Sequence, residues 1–237
     1  MKCAIVDERI SDKCKRALKM RGFFLIKLPP AKKLSLPMAS HADMLIFSHG
    51  DTLIASADYC SDYPHVFSDI REFLPNIKMR FSSDVFAPEY PMDRIFNSLV
   101  IGNDIFIKPE HISSAVTEYA REAGLNTVRV NQGYPACTVL AFGNNAITAD
   151  RGMAKVLSKH GVSVSLISDG DILLPPYEYG FIGGAAGVYK KEVFFLGSLP
   201  SHKDFEKINE AILSAGYTPV SLSDEKLSDL GGIIFLD

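Results

Sequence analysis

One supersecondary pattern recurs along this chain of 237 residues, and a repeat of that size limits the fold more than any local propensity does. Each copy runs from an apolar, β-prone stretch through a polar turn into a helix, then through Gly into another β-prone stretch. The clearest pair begins at Ala4 and Asp104. Ala4-Ile5-Val6-Asp7-Glu8-Arg9-Ile10-Ser11 leads to a helix over residues 13–20 and a strand over 22–27. Residues 104–113 lead to a helix with Ala115, Tyr119 and Ala120 at core spacing and to the strand Val128-Arg129-Val130. Ser11 and Ser113 suit helix N-caps, because a short side-chain oxygen can accept from a free N–H of the first turn. Gly22 and Gly124 suit the left-handed residue that ends a helix. A third copy starts at Ala146, with a helix over 152–160 and a strand over 162–167. A fourth starts near Gly197, with a helix over 202–215 and a strand over 218–222. A weaker fifth starts at Thr52, where Pro64 interrupts a helix over 61–74 that precedes a strand over 77–81.

A second element precedes most copies: an apolar strand ending in a turn, at residues 45–51, 99–103, 140–144 and 193–197. Gly beside Asn or Asp in most of these runs is a hairpin signal, since both tolerate positive φ. Each unit therefore reads as hairpin, helix, strand, and five units fill the chain. The last strand, Gly232-Ile233-Ile234-Phe235-Leu236-Asp237, has no hairpin partner after it, and Cys3–Asp7 has none before it. Pairing the two closes a ring and leaves no free seam. The expected architecture is one α/β domain over residues 1–237, five ββαβ units with pseudo-fivefold symmetry. A linear βαβ sheet is its competitor.

Composition removes several classes of function. No run of about 18 apolar residues is present, so no membrane-spanning helix is expected. The start, Met1-Lys2-Cys3-Ala4-Ile5-Val6-Asp7-Glu8, turns acidic within a few residues and has no signal-peptide core, so a cytoplasmic location is expected. The 25 Lys and Arg residues are scattered, with no cluster longer than short pairs such as Lys32-Lys33, which offers no basic stripe for nucleic acid. Cys3, Cys14, Cys60 and Cys137 form no CxxC pair and no zinc spacing, so free thiols are expected. His49, His65, His111, His160 and His202 fall in turns or at helices, where solvated or capping roles suit them, and no pair has metal-ligand spacing. Neither a metal nor a cofactor is expected, and association into a homo-oligomer is left open.

The repeat plan resembles the pentein superfamily, α/β propellers that include arginine and agmatine deiminases, dimethylarginine hydrolases, amidinotransferases and non-catalytic ribosome anti-association factors. The resemblance spans the whole chain through its repeats and is less specific in short motifs. It implies that the loop before the first hairpin strand of each unit faces a central axis. Here those loops are Ser40-His41-Ala42-Asp43-Met44, Glu89-Tyr90-Pro91-Met92-Asp93, Gly133-Tyr134-Pro135-Ala136-Cys137-Thr138, Gly183-Gly184-Ala185-Ala186-Gly187 and Ser228-Asp229-Leu230-Gly231-Gly232. His-x-Asp-Met at His41 is similar to the histidine motif of the deiminases, and Gly-x-x-x-Cys-Thr at Cys137 is similar to their nucleophile motif. The two lie two units apart, as in that superfamily, and Asp229 falls one unit before the histidine, in the acidic place. The unit order is rotated relative to most relatives. The resemblance thus implies Cys137, His41 and Asp229 as catalytic residues, and Asp43, Asp93, Tyr134, Gly183 and Gly184 as substrate-binding ones. One departure stands out: the unit reading Gly-Gly-Ala-Ala-Gly lacks the guanidinium-clamping carboxylate of those relatives. Asp169, Asp171 and Glu178, on the long preceding loop, are the candidates to replace it.

The implied substrate is a small guanidine-like molecule. A guanidinium carbon is flanked by three nitrogens sharing one charge. Attack on it needs a soft nucleophile, a proton donor for the leaving amine and carboxylates that hold the planar cation. Cys137 would form a covalent thiouronium intermediate. His41 would protonate the departing amine and then activate water, and Asp229 would orient substrate or histidine. Plainer readings exist for the same residues: a lone Cys before an apolar strand is commonly a small buried hydrophobe, and an Asp can simply cap a turn. An amidinotransferase and a binding protein on the same scaffold are the alternatives to a hydrolase. Tyr177, Tyr179 and Phe181 read either as a lid or as ordinary loop packing. The glycines of residues 180–187 lack a Walker lysine, and their small size instead lets backbones approach closely.

Overall fold

The computed structural model describes residues 2–237, which form five three-stranded sheets of one design. The first sheet contains β1 (Cys3–Asp7) and β2 (Phe24–Leu28), joined by α1 (Asp12–Met20). The second unit is α2 (Ala42–Leu45), β3 (Ile46–His49), β4 (Thr52–Ser56), α3 (Ala57–Asp62), α4 (Pro64–Phe73) and β5 (Lys78–Ser82). The third is β6 (Leu99–Ile101), β7 (Asp104–Ile107), α5 (Ser114–Glu122) and β8 (Asn126–Arg129). The fourth is α6 (Pro135–Thr138), β9 (Val139–Phe142), β10 (Asn145–Thr148), α7 (Arg151–Lys159) and β11 (Ser163–Leu166). The fifth is β12 (Ala186–Tyr189), β13 (Glu192–Phe195), α8 (Phe205–Ser214) and β14 (Thr218–Ser221).

In every unit the middle strand pairs antiparallel with its hairpin partner and parallel with the strand that follows the helix. The first unit borrows its hairpin partner from the other end of the chain: β15 (Ile234–Leu236) runs antiparallel to β1, with Cys3 opposite Leu236 and Ile5 opposite Ile234. This closure is the one the unpaired terminal strands predict, and the five sheets stay separate rather than merging into one linear sheet.

Packing explains why five small sheets hold together. The middle strands are buried almost throughout, as apolar runs with neighbours on both faces should be. Because successive side chains of a strand point to opposite faces, each middle strand serves two neighbours. Cys3 and Ile5 of β1 join the cluster shared with the second and third units, whereas Ala4 and Val6 pack with Phe194 and Leu196 of the fifth. Ile105 and Ile107 of β7 face one cluster and Phe106 the next, where Val139, Met153 and Leu157 of the fourth unit meet it. Val193 and Phe195 pack against Leu140 and Ile147, completing the circuit.

Local signals act where expected. The side chains of Ser11 and Ser113 accept from the N–H groups of Cys14 and Ala115, at 3.3 and 3.2 Å, and Asp150 does the same for Met153 at 2.8 Å. Gly22, Gly124, Gly161 and Gly216 end their helices at φ of +80°, +68°, +78° and +75°. The helical stretch breaks at Pro64 as expected: α3 ends at Asp62, and Pro64 opens α4, where its missing N–H costs no hydrogen bond. Two expectations need correction. Residues 193–197, expected as a first hairpin strand, instead supply β13, the second strand of their hairpin. The turn there is made at Lys190, a non-Gly residue at φ +55°, so no Gly-Asn signal marks it. The helix expected from His202 starts at Phe205, after a short 3-10 turn over Leu199–Ser201. No helix among the described residues is long and apolar enough to cross a membrane.

Candidate active site

Two one-turn helices stand immediately before first hairpin strands, and they position three of the candidate side chains, His41, Asp43 and Cys137. His41 is the N-cap residue of α2, and Leu45 N–H returns to its carbonyl at 3.1 Å. Pro135 opens α6 at the position proline favours, and Thr138 N–H bonds Tyr134 O at 2.9 Å. One tight turn on each side directs Asp43 and Cys137 toward each other. The Cys137 thiol donates to Asp43 Oδ2, and one polar atom from each of His41, Asp43 and Cys137 lies within 4.8 Å of the others. Asp229, from the loop before β15, places Oδ1 at 3.9 Å from His41 Nδ1. His41 and Asp229 are each only 1% exposed and Cys137 5%. Asp43 keeps some exposed surface as a residue, yet its Oδ1 is buried and without a partner.

Burial sets the electrostatics. Neither ring nitrogen of His41 has a hydrogen-bond partner, and desolvation pushes its pKa down to about 3, with the Arg9 charge adding to the effect. Desolvation raises Asp43 to about 6, against hydrogen bonds from Cys137, Asn97 and the backbone. It raises Asp229 to about 7, helped by the charge of Asp43 and opposed by the N–H groups of Phe181 and Gly231 at 2.8 and 3.1 Å. The Cys137 thiol is held well above the ordinary thiol range, by burial first and then by the two carboxylates. At neutral pH the site therefore holds a neutral thiol, a neutral imidazole and two buried carboxyls, of which Asp229 feels the charge of Arg9. A ligand cation would lower every one of these proton affinities at once.

A cavity of about 350 Å³ opens on this cluster. His41, Cys137 and Asp229 line it, as do Tyr134 and the three aromatic residues of the preceding loop, Tyr177, Tyr179 and Phe181. Of the three acids considered as clamp replacements, Glu178 lines this cavity, Asp169 lines a neighbouring one, and Asp171 accepts from Lys203 N at 3.1 Å. The other sequence-derived residues stand one layer back. Asp43 meets the cavity through the Cys137 thiol. Asp93 accepts from Tyr134 Oη at 2.7 Å and so acts on the lining through that ring. Gly183 and Gly184 are outside the lining and form a pad beneath it. A Cβ on Gly183 would come within 2.3, 2.5 and 2.6 Å of the carbonyl oxygens of Ala136, Val139 and Cys137, and one on Gly184 within 2.0 Å of Asp229 Oδ1. Gly184 N donates to Cys137 O at 2.9 Å, and its carbonyl accepts from Leu230 and Gly232 at 2.9 and 2.7 Å. The loop without a carboxylate thus ties the Cys137 loop to the Asp229 loop.

Two residues enter that the motifs did not mark. Asn97 is fully buried, accepts from Ala136 N at 2.9 Å and directs its amide toward Cys137 Sγ at 3.7 Å and Met44 Sδ at 3.6 Å. It lies in the axial loop of the third unit, just beyond Asp93, and only the loop register could have pointed to it. Arg9 supplies the positive charge felt at His41 and Asp229, while its own donors are committed to Asp7 and to the carbonyls of Leu36 and Pro37.

Comparison with solved structures agrees with this architecture. Dimethylarginine dimethylaminohydrolase from Pseudomonas aeruginosa, complexed with citrulline, is 13% identical with a TM-score of 0.57, covering 94% of this chain and 91% of that one. Agmatine deiminase from C. jejuni is 9% identical with a TM-score of 0.56, covering 94% and 87%. An inosamine-phosphate amidinotransferase from Streptomyces griseus is 12% identical with a TM-score of 0.57, covering 94% and 78%. These likenesses establish the pentein fold of the guanidino-modifying enzymes. No curated protein matches the sequence. With five ββαβ units closed into a ring and a matching family profile over residues 5–234, the chain belongs to the family of unknown function DUF6873.

Proposed function

We propose that this protein is a cysteine-dependent hydrolase of a small guanidinium or amidinium compound. The observation that carries this reading is the convergence of His41, Asp43 and Cys137 within 4.8 Å, beside a cavity that His41, Cys137 and Asp229 line together. A substrate cation entering between the carboxylates stabilises the thiolate relative to the thiol. Asp43 polarises the S–H bond, and His41, whose ring nitrogens are free, receives the proton. The sulfur then bonds to the guanidinium carbon. The carbon–nitrogen bond breaks as His41 returns the proton to the leaving amine, and a thiouronium remains on Cys137. Water attacks that carbon, His41 takes its proton, the carbon–sulfur bond breaks, a urea or amide leaves, and His41 returns the proton to the Cys137 thiolate. Asp229 holds the cation and the imidazole in place.

Transfer to an amine instead of water would share the first half of this sequence. A non-catalytic binding protein is the second reading, and the burial and neighbouring carboxylates that keep the Cys137 thiol protonated favour it. One experiment separates them. Ammonia or amine release is followed across a panel of guanidines and amidines, with Cys137→Ala as control and mass spectrometry of the intact protein for a Cys137 adduct. Release that requires Cys137, or an adduct on it, supports the enzyme. If an amidinium electrophile labels Cys137 no faster than Cys60, the nucleophile assignment is wrong.

A further inference from the structure

We infer that the ligand of this site is a guanidinium or amidinium cation that carries no carboxylate, so that arginine-like α-amino acids are discriminated against. The inference rests on the functional reading above and adds the substrate class. A carboxylate on the ligand needs a cation or a set of free donors once it leaves water. Among the described residues, no Lys or Arg lines the cavity. Arg9, whose charge reaches His41 and Asp229, lies outside the lining and has most of its donors committed: Nε and one terminal nitrogen bind Asp7, and the terminal nitrogens reach Leu36 O at 3.1 Å and Pro37 O at 2.8 Å. Arg94 is fully buried outside the lining and turns its terminal nitrogens to Lys108 O at 3.1 Å and Glu110 O at 2.7 Å, leaving only Nε without a partner. Tyr134, the ring nearest to a fixed hydroxyl role, already donates to Asp93.

The lining is instead acidic and apolar. Asp229 and Glu178 both face the cavity, and Met38, Leu174, Tyr177, Tyr179 and Phe181 supply hydrocarbon and aromatic surface. Such a surface suits a planar cation and an alkyl or aryl body. A ligand carboxylate would meet like charge and no counter-ion, which costs affinity. Glu178 is exposed and free of the packing that holds Asp229, so it is the lining residue through which this preference can be changed without disturbing the fold.

The test compares arginine with 4-aminobutylguanidine, which differs from it by one carboxylate, and with butylguanidine, which also lacks the amine. Binding to the wild-type protein is measured by titration calorimetry, and turnover of each compound is measured alongside. The expected result is that arginine binds about tenfold or more weakly than 4-aminobutylguanidine. Glu178→Arg should narrow that ratio by roughly fivefold or more by supplying the missing cation, with an unchanged melting temperature. Arginine binding as tightly as its decarboxylated counterpart overturns the inference. So does the absence of binding by all three up to about 10 mM, an affinity too weak for a specific site. The functional reading fails separately: if the carboxylate-free compounds bind best but none is consumed, the ligand class stands and the hydrolase does not.

Discussion

The axial loops of the fourth and fifth units occupy matching places in the ring and contribute in opposite ways. The fourth presents Tyr134 and Cys137 to the cavity. The fifth presents Gly183 and Gly184, and its contribution is the absence of side chains, because the carbonyls of Ala136, Cys137 and Val139 and the carboxylate of Asp229 occupy the space a Cβ would take. Reactive loops can converge on one axis only where another loop gives way. The absence of a carboxylate from the fifth loop is therefore tied to how closely the Cys137 and Asp229 loops approach, and Glu178 lines the cavity from the preceding loop.

The contrast can be broken at either loop. The largest effect is expected from Cys137→Ala, which should abolish turnover by roughly a thousandfold or more while the thermal melt barely moves; residual activity above a tenth would remove the nucleophile from the fourth loop. In the fifth loop, Gly184→Ala should cost about 2–4 kcal/mol in urea denaturation, since carboxylate and backbone there are fixed by their own hydrogen bonds. An alanine tolerated at Gly184 without loss would show that the pad is loose.

The pH dependence sharpens the electrostatic side of the comparison. His41 has a folded pKa of about 3 against an ordinary 6.5, so the unfolded chain binds more protons between those values and stability falls as pH drops through that window. Asp43 and Asp229, raised to about 6 and about 7, act with the opposite sign: the folded state binds their protons first, and acidification from 7 toward 4 favours it. His41→Gln should therefore gain about 2 kcal/mol relative to wild type on going from pH 6.5 to 4.5, read from paired urea melts. Binding of a guanidinium should strengthen by about tenfold from pH 5 to 8 as the two carboxyls ionise, and a flat calorimetric profile would deny them the cation. The smallest effect is expected at Gly161, where a Cβ meets nothing within 4 Å and only the φ of +78° opposes it; Gly161→Ala should cost about 1 kcal/mol, well below Gly184→Ala.

Much of the fold was legible because its signals are local. A serine that caps, a glycine that ends a helix and a buried run that forms a middle strand depend on residues a few positions away, and Ser11, Gly22, Ser113 and Gly124 act as such spacing implies. Where the local signal was absent the reading slipped, as at the hairpin turn of the fifth unit, which Lys190 makes without glycine. Of the site, His41, Cys137 and Asp229 could be picked out through the repeat register, and Glu178 was one of three acids on a long loop with nothing to rank them. Asn97 carried no motif, since a buried amide bridging a backbone N–H and a thiol is defined only by what surrounds it.

By itself, then, the sequence determined the unit, its fivefold repetition and the pairing of Cys3–Asp7 with the terminal strand, because each follows from chain-local geometry and from the need to give both terminal strands a hairpin partner. Only the tertiary structure decided that Asp43 meets the thiol, that Gly184 lies against Asp229, and that Glu178 rather than Asp169 or Asp171 lines the cavity. Those relations span different units. They depend on how far packed sheets bring their loops toward a common axis, a distance set by side chains throughout the core and written in no single segment.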